Sequence, residues 1–107
     1  MILLFTVRLV NGPSSHIGLF EIYHDGQFGT VCDDYWSTRE SIVVCRQLGY
    51  SSGSSVFYGT YGQGTGTIWM DDVDCVGPET TLAECPQRGW GSHNCWHGED
   101  VGVSCGK

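Results

Sequence analysis

The sequence predicts an α+β domain, and three observations carry that prediction. Sixteen glycines and three prolines in 107 residues divide the chain into many short elements joined by turns. Strand-like alternation of apolar and polar residues occurs in the first half and again near the end. Between them, a single segment repeats its apolar residues at convincing helical spacing. The length is that of one small domain, with no room for a second core.

The elements follow in chain order. Met1-Ile2-Leu3-Leu4-Phe5 is apolar, but shorter than the core of roughly 7–15 residues that a signal peptide needs. Residues 1–6 therefore read as a cloning or processing remnant rather than an edge strand, ahead of a single domain over 7–107. Phe20, Ile22 and His24 alternate with Glu21 and Tyr23, Asp25-Gly26 supplies a hairpin turn, and Gln27 to Cys32 reads as the return strand. The helix runs from about Thr38 to Leu48. Ser37 is its cap, Glu40 completes a capping box, Ile42, Val43, Cys45 and Leu48 form the buried stripe, and Gly49 stands at C′. Residues 51–67, rich in Ser, Gly and Thr, read as a long irregular region. Ile68-Trp69-Met70 reads as a short buried strand ended by Asp71-Asp72. Pro78 is placed to open a second short helix through Leu82 and Cys85, and Asp100 to Cys105 reads as a closing strand.

Charge narrows the function. Five Lys and Arg against twelve Asp and Glu give a net charge of −7, the wrong sign for binding nucleic acid or an anionic membrane. No run of eighteen apolar residues is present to span a bilayer. Six cysteines in so small a chain suggest three disulfides and an oxidising, extracellular setting. No Asn-x-Ser/Thr sequon occurs, so N-glycosylation is not expected.

Five blocks then become recognisable. They are Val7-Arg8-Leu9-Val10-Asn11-Gly12, Gly29-Thr30-Val31-Cys32-Asp33-Asp34, Val44-Cys45-Arg46-Gln47-Leu48-Gly49-Tyr50, the segment from Gly64 to Cys75, and His93 to Cys105. In order and spacing the chain resembles the scavenger receptor cysteine-rich (SRCR) domain from about Val7 to Cys105. The eight-cysteine form of that family has an extra bridge from the first hairpin to the residue after the helix-ending Leu-Gly. Here that residue is Tyr50 and no cysteine precedes Cys32, so the chain resembles six-cysteine group A. The resemblance implies a curved antiparallel sheet cradling one helix, with a long loop region opposite.

Spacing alone leaves fifteen pairings of six cysteines open; the resemblance implies Cys32–Cys95, Cys45–Cys105 and Cys75–Cys85. Chain entropy assigns roughly 3 kcal/mol to the short loop and about 4 to each long one, with the mechanism model-dependent. Zinc is the rival, because His93-x-Cys95-x-His97 gathers three ligand types. No C-x₂-C knuckle accompanies it, and alternate strand residues do not readily close a tetrahedral site.

The carboxylates are the strongest candidate site. If Cys32 and Cys95 are bridged, one turn after Cys95 returns Glu99 beside Asp33 and Asp34. Three carboxylates with few nearby cations repel one another unless they share a hard divalent ion, Ca²⁺ or Mg²⁺. The resemblance implies the same ligands; the bland alternative is a solvated acidic loop. Asp71, Asp72 and Asp74 form a second, weaker cation candidate, in which an extended backbone would turn Asp72 and Asp74 to one side.

For ligand contact the candidates are Tyr58, Tyr61, Trp90 and Trp96, whereas Trp36 and Trp69 read as core. His93 and His97 read as structural hydrogen-bonding residues. Arg8, Arg39, Arg46 and Arg88 are scattered, with only Arg39 and Arg46 on similar helix faces. No G-x-S-x-G, H-E-x-x-H or phosphate-cradling loop occurs, so an enzyme is not expected. The expected function is that of a secreted or ectodomain module, monomeric as an isolated domain, that binds microbial polysaccharides or other polyanions through a held cation. The alternative is a module that docks a host protein, with the metal only structural.

Overall fold

The computed structural model describes residues 7–57 and 59–106; the apolar opening and Tyr58 lie outside them. Six strands and one α-helix follow the order β1 (Val7–Ser14), β2 (Ile17–His24), β3 (Gln27–Val31), α1 (Thr38–Gln47), β4 (Ser52–Val56), β5 (Ile68–Met70) and β6 (Gly102–Gly106). Short 3-10 turns cover Leu82–Glu84 and His97–Glu99.

The hairpin folds because its turn chemistry and its alternation agree. His24 pairs with Gln27, and Asp25 and Gly26 both take positive φ, 50° and 88°, the left-handed pair that a type I′ turn requires. Phe20 and Ile22 are buried while Tyr23 is exposed, as the alternation predicts. Strand β2 is the hub: it pairs antiparallel with β1, β3 and β6, and β4 extends the sheet beyond β6. The exception is β5, which runs parallel to β3. The sheet is thus mixed rather than wholly antiparallel, because the long connection through the helix and the glycine-rich segment brings β5 back in β3's own direction.

The helix spans Thr38–Gln47 with the capping box in place, and Ser37 Oγ accepts the Arg39 N–H. It ends in a Schellman turn: the Tyr50 N–H donates to the Cys45 carbonyl and the Gly49 N–H to that of Arg46. Its buried face differs from the expected stripe. Val43, Val44, Cys45, Ser41 and Glu40 are buried, whereas Ile42 and Leu48 are only half-buried. The face has turned toward two polar residues because both are satisfied inside. Ser41 Oγ accepts the Trp36 indole N–H at 2.9 Å and bonds Ser55 Oγ at 2.8 Å. One Glu40 oxygen accepts the Ser37 N–H and hydroxyl at 2.8 and 2.6 Å, the other the Cys75 N–H at 2.7 Å.

Three further elements depart from expectation. Strand β1 was not foreseen; a bulge breaks its register with β2 between Val10 and Ser14 and obscures its alternation. Strand β4 lies in the stretch expected to be irregular. It can sit against the helix because Gly53 has no side chain: a Cβ there would come within 2.4 Å of Cys45 Sγ. Pro78 opens no helix, since the only turn in that region is the 3-10 turn Leu82–Glu84, which follows an extended Thr81.

The core gathers Phe20, Ile22, Val31, Trp36, Val43, Val44, Met70, Val73, Leu82, Val101 and Val103 between sheet and helix. Disulfides join Cys32 to Cys95, Cys45 to Cys105 and Cys75 to Cys85, the pairs that the resemblance implies.

Candidate functional site

Three chain segments converge where β3 ends. The Cys32 N–H donates to the Met70 carbonyl, the Asp33 N–H to that of Glu99 at 2.9 Å, and the Val101 N–H to that of Val31. The Cys32–Cys95 bridge, with Cα atoms 6.3 Å apart, fastens the start of the returning segment to the same point. Between Cys95 and Val101 the 3-10 turn His97–Glu99 reverses the chain.

That turn brings the candidate ligands together. One oxygen each from Asp33, Asp34 and Glu99 lies within 4.8 Å of the others, in a set that also contains Cys32 Sγ. The sulfur is committed to its disulfide, which leaves three half-buried carboxylates. Among the described residues none of the three pairs with a Lys or Arg. Burial and then the Glu99 charge push the Asp33 carboxyl above its ordinary value. Burial, Asp71 and Glu99 do the same to Asp34. Oxygens bound to one Ca²⁺ at roughly 2.3–2.6 Å lie at most about 5 Å apart, so the donor set and its spread suit that ion.

The Asp71-Asp72-Asp74 candidate is not assembled. Asp71 is fully buried, accepts the Asp72 N–H and pairs with Arg88 at 3.4 Å. It joins a set with Asp34 and the bridged Cys32 and Cys95 instead. Asp72 takes φ 55°, and this left-handed residue breaks the alternation that would have aligned it with Asp74. Sequence reasoning missed the approach of Asp71 to Asp34 because it depends on the parallel register of β5 on β3.

The histidines are structural. His93 Nδ1 accepts the Cys95 N–H. His97 Nε2 bonds the Gly66 carbonyl at 2.8 Å and Nδ1 meets Asp100 Oδ2 at 2.9 Å; the same oxygen accepts the Gly64 N–H. Asp100 thereby ties the glycine-rich loop to the turn that carries Glu99. Desolvation lowers the His97 pKa, but the Asp100 bond, the Gly66 carbonyl and the Asp100 charge outweigh it and hold the imidazole above its ordinary value. With Cys95 bridged and both His97 nitrogens engaged, His93, Cys95 and His97 form no zinc site.

The aromatic candidates separate. Trp96 is 66% exposed, and its indole lies over Gly98, where a Cβ would come within 2.3 Å of the ring. Trp90 is half-buried with its face taken: His24 stacks on it at 3.8 Å and 4°, and Trp69 packs edge-on. Tyr61 is half-buried. Trp36 is core, as expected, whereas Trp69 is only partly buried. The arginines form no cluster: Arg8 pairs with Glu21 and lies over Phe28, and Arg46 donates to the Gly77 and Glu79 carbonyls.

Fold and site together define a small three-disulfide α+β domain with three carboxylates gathered on one loop face. Comparison with known proteins gives it a family. The model of the scavenger receptor cysteine-rich domain matches residues 10–106, and the chain belongs to that family. It is 52% identical over 101 residues to the bovine (Bos taurus) macrophage scavenger receptor types I and II; the match covers 94% of the chain but 22% of the receptor's length. Two solved structures are similar. The third SRCR domain of murine neurotrypsin has TM-score 0.87 and 43% identity, covering 94% of this chain and 95% of that one. The SRCR domain of mouse MARCO, in a dimeric form, has TM-score 0.79 and 44% identity, covering 92% of each. Domains of this family are non-enzymatic receptor modules, and this chain is a module of that kind.

Proposed function

We propose that this chain is a six-cysteine, group A extracellular recognition domain of innate-immune type that captures microbial polysaccharides or other polyanions through a divalent cation, Ca²⁺ or Mg²⁺. The observation that carries the proposal is the convergence of Asp33, Asp34 and Glu99 with ligand atoms within 4.8 Å and no Lys or Arg partner among the described residues. At net charge −7 the bare domain repels an anionic polymer at long range. An ion held by the three carboxylates reverses the sign locally and offers coordination positions to a ligand oxygen. One such contact is weak, so capture depends on multivalency. The 22% share of the bovine receptor leaves ample room for other segments to supply it, and the dimeric form of the MARCO domain is a second route.

The test is retention of the domain on lipopolysaccharide or whole bacteria, with Ca²⁺ and with chelator, beside sedimentation to establish its association state. Capture that requires Ca²⁺ and is lost in Glu99→Ala, with the fold intact, supports the reading. Binding that survives both changes refutes the bridging ion. Tight, chelator-insensitive binding to a single host protein supports the alternative, a protein-docking module.

A further inference from the structure

Strand β1 is broken at one place. Its register with β2 holds from Val7 to Val10 and resumes only at Ser14, so Asn11, Gly12 and Pro13 have no paired residue across the ladder. We propose that Asn11 is a self-modifying site, at which the Gly12 main-chain nitrogen displaces ammonia from the Asn11 side chain and water opens the resulting ring to aspartate or isoaspartate. The inference does not rest on the reading of the chain as a cation-dependent module.

The fold itself demands the reactive pair, through two separate requirements. Asn11 takes φ 65°, a left-handed conformation that is costly for most side chains but that asparagine tolerates. Gly12 is required for a different reason: a Cβ there would come within 1.7 Å of the Ile17 carbonyl oxygen and 2.9 Å of Gly18 Cα, so no larger residue fits against β2. Together these requirements set an amide side chain beside a main-chain nitrogen that no Cβ shields. Asn11 and Pro13 are both exposed, so water and hydroxide reach the amide. The lability is therefore a by-product of how the bulge is built, and neither residue can be exchanged freely to remove it.

The step balances with water as the one co-reactant. Hydroxide takes the Gly12 N–H proton, the nitrogen bonds to Asn11 Cγ, the Cγ–Nδ2 bond breaks, and ammonia leaves with a proton from water. One water then adds to a ring carbonyl. Breaking the new bond to Cγ leaves aspartate, and breaking the original peptide bond leaves isoaspartate, with the main chain routed through the side chain. The other asparagine in the sequence shows what protection looks like. Asn94 is also exposed, but the Cys95 N–H donates to His93 Nδ1 at 3.0 Å, and the Cys95 side chain is tied to Cys32. Asp25-Gly26 shares the spacing, but a carboxylate is a poorer electrophile than an amide. The two products differ in consequence. Aspartate accepts the left-handed backbone, whereas isoaspartate inserts a carbon into the main chain where Gly12 already abuts Ile17.

The experiment is ageing of the folded, disulfide-intact chain at mildly alkaline pH, followed by peptide mapping, isoaspartyl methyltransferase labelling and ammonia release. Asn11 should convert at least tenfold faster than Asn94 and give both products. Asn11→Asp should remove the fast phase of ammonia release and melt close to the unaged parent, while the isoaspartyl fraction, separated by reversed-phase chromatography and refolded with its disulfides intact, should melt lower. Three results overturn the site: Asn11 stays intact, it converts no faster than Asn94, or it converts only when the chain is unfolded in urea. An isoaspartyl form as stable as Asn11→Asp would overturn the packing argument at Gly12.

Discussion

Glu40 and the Asp33/Asp34/Glu99 group are both carboxylates withdrawn from water, yet their surroundings are opposite. Glu40 is 2% exposed, and its two oxygens accept three hydrogen bonds from Ser37 and Cys75. It welds the helix start to the Cys75 loop. The three site carboxylates are half-buried beside one another; Glu99 accepts the Trp96 N–H at 3.2 Å and Asp33 a backbone N–H of its own, so they are less fully satisfied than Glu40. The contrast separates roles by satisfaction rather than by burial. A buried carboxylate whose lone pairs are filled by the chain stabilises the fold; under the proposed function, the ones facing their own kind are the ligands of a cation.

The largest effect expected comes from cutting the bridge that fastens the two segments of the acidic region together. Replacing Cys32 and Cys95 together by Ser should cost about 2–5 kcal/mol in denaturant unfolding and should erase any response to Ca²⁺, because Glu99 is then no longer held beside Asp33. A cut that destabilises but leaves the Ca²⁺ response intact would show that the carboxylates converge without the bridge.

Glu40→Ala should come next. It strands the buried Cys75 N–H and exposes the helix cap, at a cost of about 2–4 kcal/mol by calorimetry, with the Ca²⁺ response of the remaining folded protein unchanged.

Neutralising the site should act in the other direction. Asp33→Asn or Glu99→Gln should leave the metal-free melting temperature equal or slightly higher, and should abolish most of the rise that Ca²⁺ is expected to give the parent if it binds the folded form. Glu21→Ala should not, and equal responses from all of them would reduce the site to diffuse charge screening. The pH dependence has a definite sign. The Asp33 and Asp34 pKa values are raised in the fold above 3.8. Their contribution to metal-free stability is therefore present below that value and is lost as pH rises through the raised values. The Ca²⁺-induced rise should accordingly be small near pH 4 and larger at neutrality.

The smallest effect belongs to His97, whose pKa is raised above 6.5. Its bond to Asp100 should add stability below that pH and lose it as pH climbs through the raised value. His97→Gln should flatten this part of the stability curve, and a parent curve that is already flat there would show that the imidazole is not held charged.

Elements coded by neighbours in the chain were legible in the sequence. Asp25-Gly26 specifies its turn, Ser37 with Glu40 its helix cap, and Gly49 its stop, because each acts through the backbone within four residues. The Cys–Asp–Asp and Cys–x₃–Glu spacings likewise placed Asp33, Asp34 and Glu99 in one site once the disulfide was assumed. The parallel seat of β5, the bulged β1 and the strand hidden in the serine-glycine stretch depend on partners dozens of residues away, to which local alternation is blind. The same is true of the second duty of Glu40 at Cys75, of Asp71 reaching Asp34 rather than Asp74, and of the stacking of Trp90 on His24. The sequence by itself determined the turns, the caps and the chemistry available. Only the tertiary structure decided which side chains met and which polar groups went unsatisfied, because strand register and the closing of long loops set those distances.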